Sequence, residues 1–167
     1  LCIERSAFVG MSLGGWYALS FAIAHPERVT ALSLISSAGI AAQKTGFIFK
    51  ALLCMMLGKS GLQRLNKLIY YHVVVPEPIL EQQSLVAKHF NPVTEALVLF
   101  SDEQLKKLTM PLQYFGGAHD VMLDTAAAVE RLHVLLPNAQ AHLLQTSGHA
   151  IIDKFEAIEE FLSQKLS

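Results

Sequence analysis

From Ser6 to Pro26 the chain carries no Asp, Glu, Lys or Arg, and this stretch constrains the fold more than any other. As one helix it would be long enough for a bilayer, which takes about 20 apolar residues. Gly10, Ser12, Gly14, Gly15, Ser20 and His25 argue against that, because they divide it into unlike pieces. Ser6-Ala-Phe-Val-Gly10 reads as a short buried strand, and Leu13 to Ala24 as a helix with almost no polar face, ended by His25-Pro26. Gly10-Met-Ser-Leu-Gly14 is the turn between them. A second strand of β-branched and aliphatic residues, Val29 to Ile35, closes on Ser36-Ser37-Ala38-Gly39. Strand, helix and strand within about 30 residues make the parallel crossover unit, since parallel neighbours need a long connection. The expected fold is α/β, a parallel sheet flanked by helices, with the first strand and first helix both in its interior.

Beyond residue 39 the pattern changes. Residues 40–108 show apolar helical patches punctuated by Gly46, Gly58, Gly61, Pro76, Pro78 and Pro92, and no convincing strand. They read as several short helices inserted into the connectivity of the sheet, the last opened by Ser101-Asp-Glu-Gln104 with a capping-box spacing and an acidic first turn. After Pro111, residues 112–115 form a third strand. Asp124 then caps an amphipathic helix carrying Ala128, Val129, Leu132, Leu135 and Leu136, and residues 139–144 form a fourth strand. A closing helix is expected to bury Phe155, Ile158, Phe161, Leu162 and Leu166. The organisation is one core in two pieces, residues 1–39 and 109–167, around a helical insertion at 40–108.

The charge balance is -1, with no run of like charge, so nothing is built to neutralise phosphates and nucleic acid is excluded as a partner. Apolar residues make up 52% against 16% charged, more apolar than an average soluble domain. Either the core is unusually continuous or apolar surface awaits a partner. Leu-Cys-Ile-Glu-Arg at the start has no secretory-signal pattern, no membrane span is expected, and Cys2 and Cys54 fit neither a disulfide framework nor a zinc site. A cytoplasmic location follows as the expectation. No metal or organic cofactor is implied: there is no G-x-G-x-x-G or H-E-x-x-H, and before Gly58-Lys59-Ser60 the position where a phosphate loop needs glycine is Leu53.

Chemistry enters with Gly10-Met11-Ser12-Leu13-Gly14, a match to G-x-S-x-G. Three fixed positions at ordinary usage would match by chance in roughly one chain of this length in twenty. The context adds to the match, because a strand precedes and a helix follows. A serine on so sharp a turn is strained, and side chains at Gly10 and Gly14 are expected to collide with it or its neighbours. Its hydroxyl would be exposed at the amino end of a helix, beside N–H groups that can receive an oxyanion.

A serine hydroxyl needs a base to attack, and the base needs an orienting carboxylate. His149 is the candidate base, because Ser147-Gly148-His149 directly follows the fourth strand. His119 competes with it. His25 reads as a helix terminator, His72, His89 and His133 sit on apparent helices, and His142 falls inside a strand. Asp120 is the candidate carboxylate, just past the carboxyl end of the third strand, the face on which open α/β sheets build their sites. Asp124 is better used as a helix cap, Asp102 in a first turn, and Asp153 lies close to the last helix. The chain order Ser, Asp, His is the order of the α/β-hydrolases.

On these residues the chain resembles the α/β-hydrolase superfamily, in its group of cap-bearing serine esterases. Phe8-Val-Gly-Met-Ser-Leu-Gly-Gly-Trp16 and His25-Pro-Glu-Arg-Val29 are similar to the nucleophile strand, helix and following turn of that family. Pro111 to Asp120 resembles the acid strand and its loop, and Ser147-Gly-His149 the histidine loop. The resemblance implies catalytic roles for Ser12, Asp120 and His149, and the Leu13 backbone N–H as one oxyanion donor. The four strands read here correspond to the carboxyl-terminal half of the family fold. The early strands and the loop with the second oxyanion donor are expected to be missing at the amino terminus.

The function so implied is hydrolysis of a small-molecule carboxylic ester through an acyl-enzyme, with residues 40–108 as the cap. Phe47, Phe49, Leu52, Met55, Met56 and Leu57 suggest an apolar acyl or alkyl group, or else simply pack the cap against the body. Acyl transfer and carbon–carbon cleavage would use the same three residues. A catalytically silent truncated hydrolase, acting as a binding module, is the alternative of a different kind. A bare first strand at Ser6 to Gly10 would be covered by upstream residues or by a second copy of the chain.

Overall fold

A computed structural model of the chain describes residues 3–71, 73–89 and 97–166. Cys2, His72 and Pro92 lie outside the described residues, as do the side chains of Leu52, Met55 and Leu166. The chain runs β1 (Ser6–Met11), α1 (Leu13–Ala24), a 3-10 turn at Pro26–Arg28, and β2 (Val29–Ile35). Three helices follow, α2 (Gly46–Met56), α3 (Gly58–Tyr70) and α4 (Glu77–His89), then the short α5 (Asp102–Leu105). The chain closes with β3 (Leu112–Gly117), α6 (Thr125–Leu135), β4 (Gln140–Leu144) and α7 (Phe155–Leu166).

The strands form one parallel sheet in the order β1-β2-β3-β4. All four carboxyl ends therefore lie on one edge, where the connecting loops can meet. β2, between β1 and β3, is buried along nearly its whole length, as a central parallel strand must be. One face of the sheet packs Leu32, Leu34, Leu112 and Tyr114 against Ala18, Leu19 and Ala22 of α1 and Ala128, Val129 and Leu132 of α6. The other face packs Ile35 and Phe115 against Ile151 and Ile158, with Ala157 and Leu162 of α7 beside them. Period-2 alternation along β2 and β3 sends successive side chains to these two helical layers.

Local signals at the helix ends act as the residues suggest. Ser101 and Gln104 form a reciprocal capping box at α5, and the Asp124 carboxylate accepts the Ala127 N–H at the start of α6. Four features differ from expectation. Among the described residues β1 has a strand neighbour on one side only, so it is an edge, and its side chains are mostly half-buried or exposed. α1 likewise buries one side while Tyr17 stays 62% exposed. Phe155 is 65% exposed, because it stands in the first turn of α7 while Ile158 and Phe161 face the core. Leu105 and Leu108, at the end of the stretch read as insertion, pack in the main core.

Candidate active site

Ser12 is the single residue between the end of β1 and the start of α1, and the turn it makes is abrupt: φ is 52° and ψ is -116°. A residue with a Cβ rarely adopts a positive φ, so the surroundings must hold it there. They do so through the backbone. The Ser12 N–H donates to the Ile35 carbonyl at the end of β2 (2.9 Å), and the Ser12 carbonyl accepts from Trp16 and Ala38, each at 3.2 Å.

The glycines of this turn are not equivalent. A Cβ at Gly10 would stand 2.7 Å from the Gly14 carbonyl oxygen and 2.7 Å from the Gly15 Cα. One at Gly15 would collide with the Ser37 side chain. One at Gly14 would meet nothing within 4 Å, so the collision expected there from the sequence does not occur. Close approach is required at Gly10 and Gly15. Gly14 instead opens onto a groove of about 600 Å³ between β1 and α1, lined also by Phe8, Val9 and Tyr17.

Asp120 and His149 arrive from beyond the ends of β3 and β4, on the far side of β2 from β1. Asp120 follows β3 and is buried, with Oδ1 accepting the N–H groups of Met122 (2.7 Å) and Leu123 (2.9 Å). Two N–H donors on one oxygen fix the carboxylate plane. The other oxygen, Oδ2, is 2.8 Å from His149 Nδ1. An ionised carboxylate can only accept, so Nδ1 carries the proton. In the neutral ring Nε2 is then the acceptor, and it lies 3.0 Å from Ser12 Oγ. The structure thus joins Ser12, His149 and Asp120 in one hydrogen-bonded chain, with the serine hydroxyl donating into it.

The loops that carry these groups are fastened to each other. The His119 N–H donates to the Ser147 carbonyl (3.0 Å) and the Ala118 N–H to that of Leu144 (2.9 Å). Gly117 is required there, since a Cβ would collide with the carbonyls of Ser147 and Gly148. Thr125 Oγ1 donates to the Gly117 carbonyl at 2.6 Å. Leu13 opens α1, so its N–H has no intrahelical acceptor and points out of the positive end of the helix beside Ser12.

The other candidates lie elsewhere. The His119 ring stacks on Tyr71, with centroids 4.0 Å apart and planes 9° from parallel. Asp102 pairs with Arg131 and Asp153 with Lys154. Sequence reasoning missed Lys44, whose Nζ donates to the Asp120 carbonyl at 2.8 Å. It also missed Tyr114, a buried residue of β3 near enough to Asp120 to feel its charge. Its hydroxyl, like that of Ser36, is buried with no hydrogen-bond partner among the described residues. Burial and the Asp120 charge hold the Tyr114 phenol well above its ordinary pKa. Lys44 carries no motif, because its contact joins segments 76 residues apart.

Known proteins resemble this chain over most of its length. No family model matches it. It is 26% identical to carboxylesterase YbfK of Bacillus subtilis over 159 residues, covering 90% of this chain and 53% of that one. It is 26% identical to monoacylglycerol lipase ABHD6 of Bos taurus over 166 residues, covering 86% and 49%. The chain thus spans about half the length of these relatives. Among solved structures it superposes on YbfK with a TM-score of 0.79 at 24% identity, covering 99% of this chain and 61% of that one. The naproxen esterase of Bacillus subtilis gives 0.78 at 24%, with the same coverage. Strand order, crossover helices and superposition agree: the chain has the fold of these hydrolases and spans part of it.

Proposed function

We propose that the protein hydrolyses carboxylic esters through an acyl-enzyme, with Ser12 as nucleophile, His149 as general base and then acid, and Asp120 as the group that orients the imidazole. One observation carries this reading: Ser12 Oγ, His149 Nε2, His149 Nδ1 and Asp120 Oδ2 are linked by hydrogen bonds of 3.0 and 2.8 Å. In the first half-reaction Ser12 Oγ attacks the ester carbonyl while Nε2 takes its proton. The tetrahedral oxyanion is received by the Leu13 N–H, and collapse releases the alcohol, protonated by Nε2. Water then attacks the acyl-serine with Nε2 as base, freeing the carboxylic acid and restoring Ser12. A positioned base is worth about 10²–10⁴ in rate, and an oxyanion donor about 10²–10³.

The strand–Ser12–helix turn is then a nucleophile elbow, and the helical insertion, residues 40–108, a cap over the site. Phe49 and Met56 are 74% and 80% exposed in the described structure, which favours an apolar acyl or alkyl group over packing against the body. The ester-cleaving names of the two relatives support the same class of substrate. Among the described residues no helix is long and apolar enough to cross a membrane, and a free Cys54 thiol suits the reducing cytoplasm we assign to the protein.

The test is turnover of p-nitrophenyl acyl esters together with labelling by a fluorophosphonate. Ser12→Ala is expected to abolish both, and Asp120→Asn to lower kcat by about 10²–10⁴ by favouring the wrong imidazole tautomer. Undiminished turnover in Ser12→Ala would refute the assignment. A wild-type protein that neither turns over nor labels would leave the silent binding module as the better reading.

A further inference from the structure

We propose that Tyr71 is a positioning residue: the turn that leaves α3 clamps the two loops holding His149 and Asp120, and so couples the seat of the α2–α3 hairpin to the geometry of the base. The inference rests on the roles just proposed for Ser12, His149 and Asp120. Three contacts carry it, and they fall on both loops. The Tyr71 ring lies flat on that of His119, the residue preceding Asp120. The Ala150 N–H, one residue past His149, donates to the Ile69 carbonyl at 3.1 Å. Gly148, one residue before His149, approaches so closely that a Cβ there would stand 2.5 Å from the Ile69 carbonyl oxygen and 3.1 Å from Tyr71 Cβ.

The backbone at Tyr71 is bent to make this fit. Its φ is 59° and its ψ -112°, a conformation that a residue with a side chain holds only when its surroundings enforce it. The other foot of the hairpin stands on the acid loop as well. The Lys44 N–H donates to the Met122 carbonyl at 2.7 Å and its Nζ to the Asp120 carbonyl. Chain entering α2 and chain leaving α3 therefore both rest on the loops that set the His149 to Asp120 hydrogen bond. Lifting the hairpin would release the Ala150 amide and the His119 ring together. The base would then lose its alignment with Ser12.

The contact that carries this role is the stacking of the ring on His119, which Tyr71→Phe keeps and Tyr71→Ala removes. With p-nitrophenyl butyrate, Tyr71→Ala is expected to lower kcat about tenfold with KM within about twofold, and Tyr71→Phe to restore wild-type kcat. Amide hydrogen exchange gives a second readout that needs no turnover: exchange at Ala150 and His119 speeds up in Tyr71→Ala and returns to wild type in Tyr71→Phe. Should Tyr71→Ala fail to fold, His119→Ala, at an exposed position, takes its place with His119→Phe as the rescue. An unchanged kcat in the alanine variant, or a phenylalanine variant as impaired as the alanine one, overturns the clamp. A wild-type protein without esterase activity counts against the proposed function instead. The exchange pattern alone then decides the clamp, upheld by acceleration that phenylalanine reverses and overturned by its absence.

Discussion

Replacing the two glycines of the Ser12 turn by alanine should have opposite consequences, although the motif treats them alike. At Gly10 the added methyl would stand 2.7 Å from the Gly14 carbonyl oxygen and 2.8 Å from its carbon, and both are backbone atoms. Ordinary contacts begin near 3.4 Å, so the first turn of α1 must retreat by about 0.7 Å. Overpacking of this kind costs about 1–3 kcal/mol, or roughly 2–12 °C in Tm for a chain of this size. Because Ser12 lies between the two positions, the same shift displaces its hydroxyl from His149 Nε2. Misplacement of about 1 Å lowers turnover by about 10². Gly14→Ala meets nothing within 4 Å, and in the first turn of a helix alanine gains up to about 1 kcal/mol over glycine. Urea unfolding and ester turnover on both variants test this: Gly10→Ala loses stability and activity, and Gly14→Ala keeps both. An equal loss at Gly14 would refute the steric argument and show that the groove beside β1 is filled up to that residue.

Two further outcomes follow from burial and from the edge of the sheet. Burial raises the pKa of the Tyr114 phenol, so the folded state disfavours the phenolate that the unfolded chain forms above about pH 10. Stability contributed by the neutral phenol is present below that pH and is lost as pH rises through the folded value. In Tyr114→Phe the decline of stability above about pH 10 should be shallower, and unfolding curves identical to wild type would contradict this. The 167-residue polypeptide is expected to self-associate through the bare side of β1, where Val9 is 50% exposed. A charge placed there by Val9→Lys should reduce that association. Light scattering that finds the unmodified polypeptide a stable monomer would show the edge to be protected by other means.

What was legible in the sequence was whatever depends on near neighbours. The uncharged stretch at residues 6–26 resolves into β1, turn and α1 because a strand period, a glycine pair and a helix period succeed one another within it. Ser101 and Asp124 announce their helices because a cap acts over three residues. Ser12, Asp120 and His149 were legible through a different regularity. In a parallel sheet every strand ends on the same edge, so polar residues just past β1, β3 and β4 must come near one another. Contacts made across the sheet or from the insertion left no such trace. Lys44 reaches Asp120 across a separation of 76 residues, and Tyr71 reaches His119 through a turn whose backbone no pattern foretells. The open space at Gly14 was hidden too, because a motif records where glycine stands but not which atoms surround it.

The insertion leaves and re-enters the body almost at one point, which bears on how a site of this kind keeps its geometry. The Phe100 N–H donates to the Gly39 carbonyl at 2.9 Å, and Arg131 of α6 donates to both the Ile40 and Phe100 carbonyls while pairing with Asp102. Gly39, with φ at 92°, admits the Phe100 and Trp16 rings so closely that a Cβ would stand 2.7–2.8 Å from them. Bonds from a charged donor are worth about 1.5–3 kcal/mol each, enough to hold the junction shut whatever lies between. Closing a loop grows costlier only slowly with its length, so the helices between residues 40 and 100 are free to change in size with little penalty to the core. The constraint falls instead on the few residues that touch the strand-end loops: Lys44, Ile69 and Tyr71. Changes in α2 and α4 can therefore be absorbed, whereas under the clamp proposed above a change at those three positions is felt at His149.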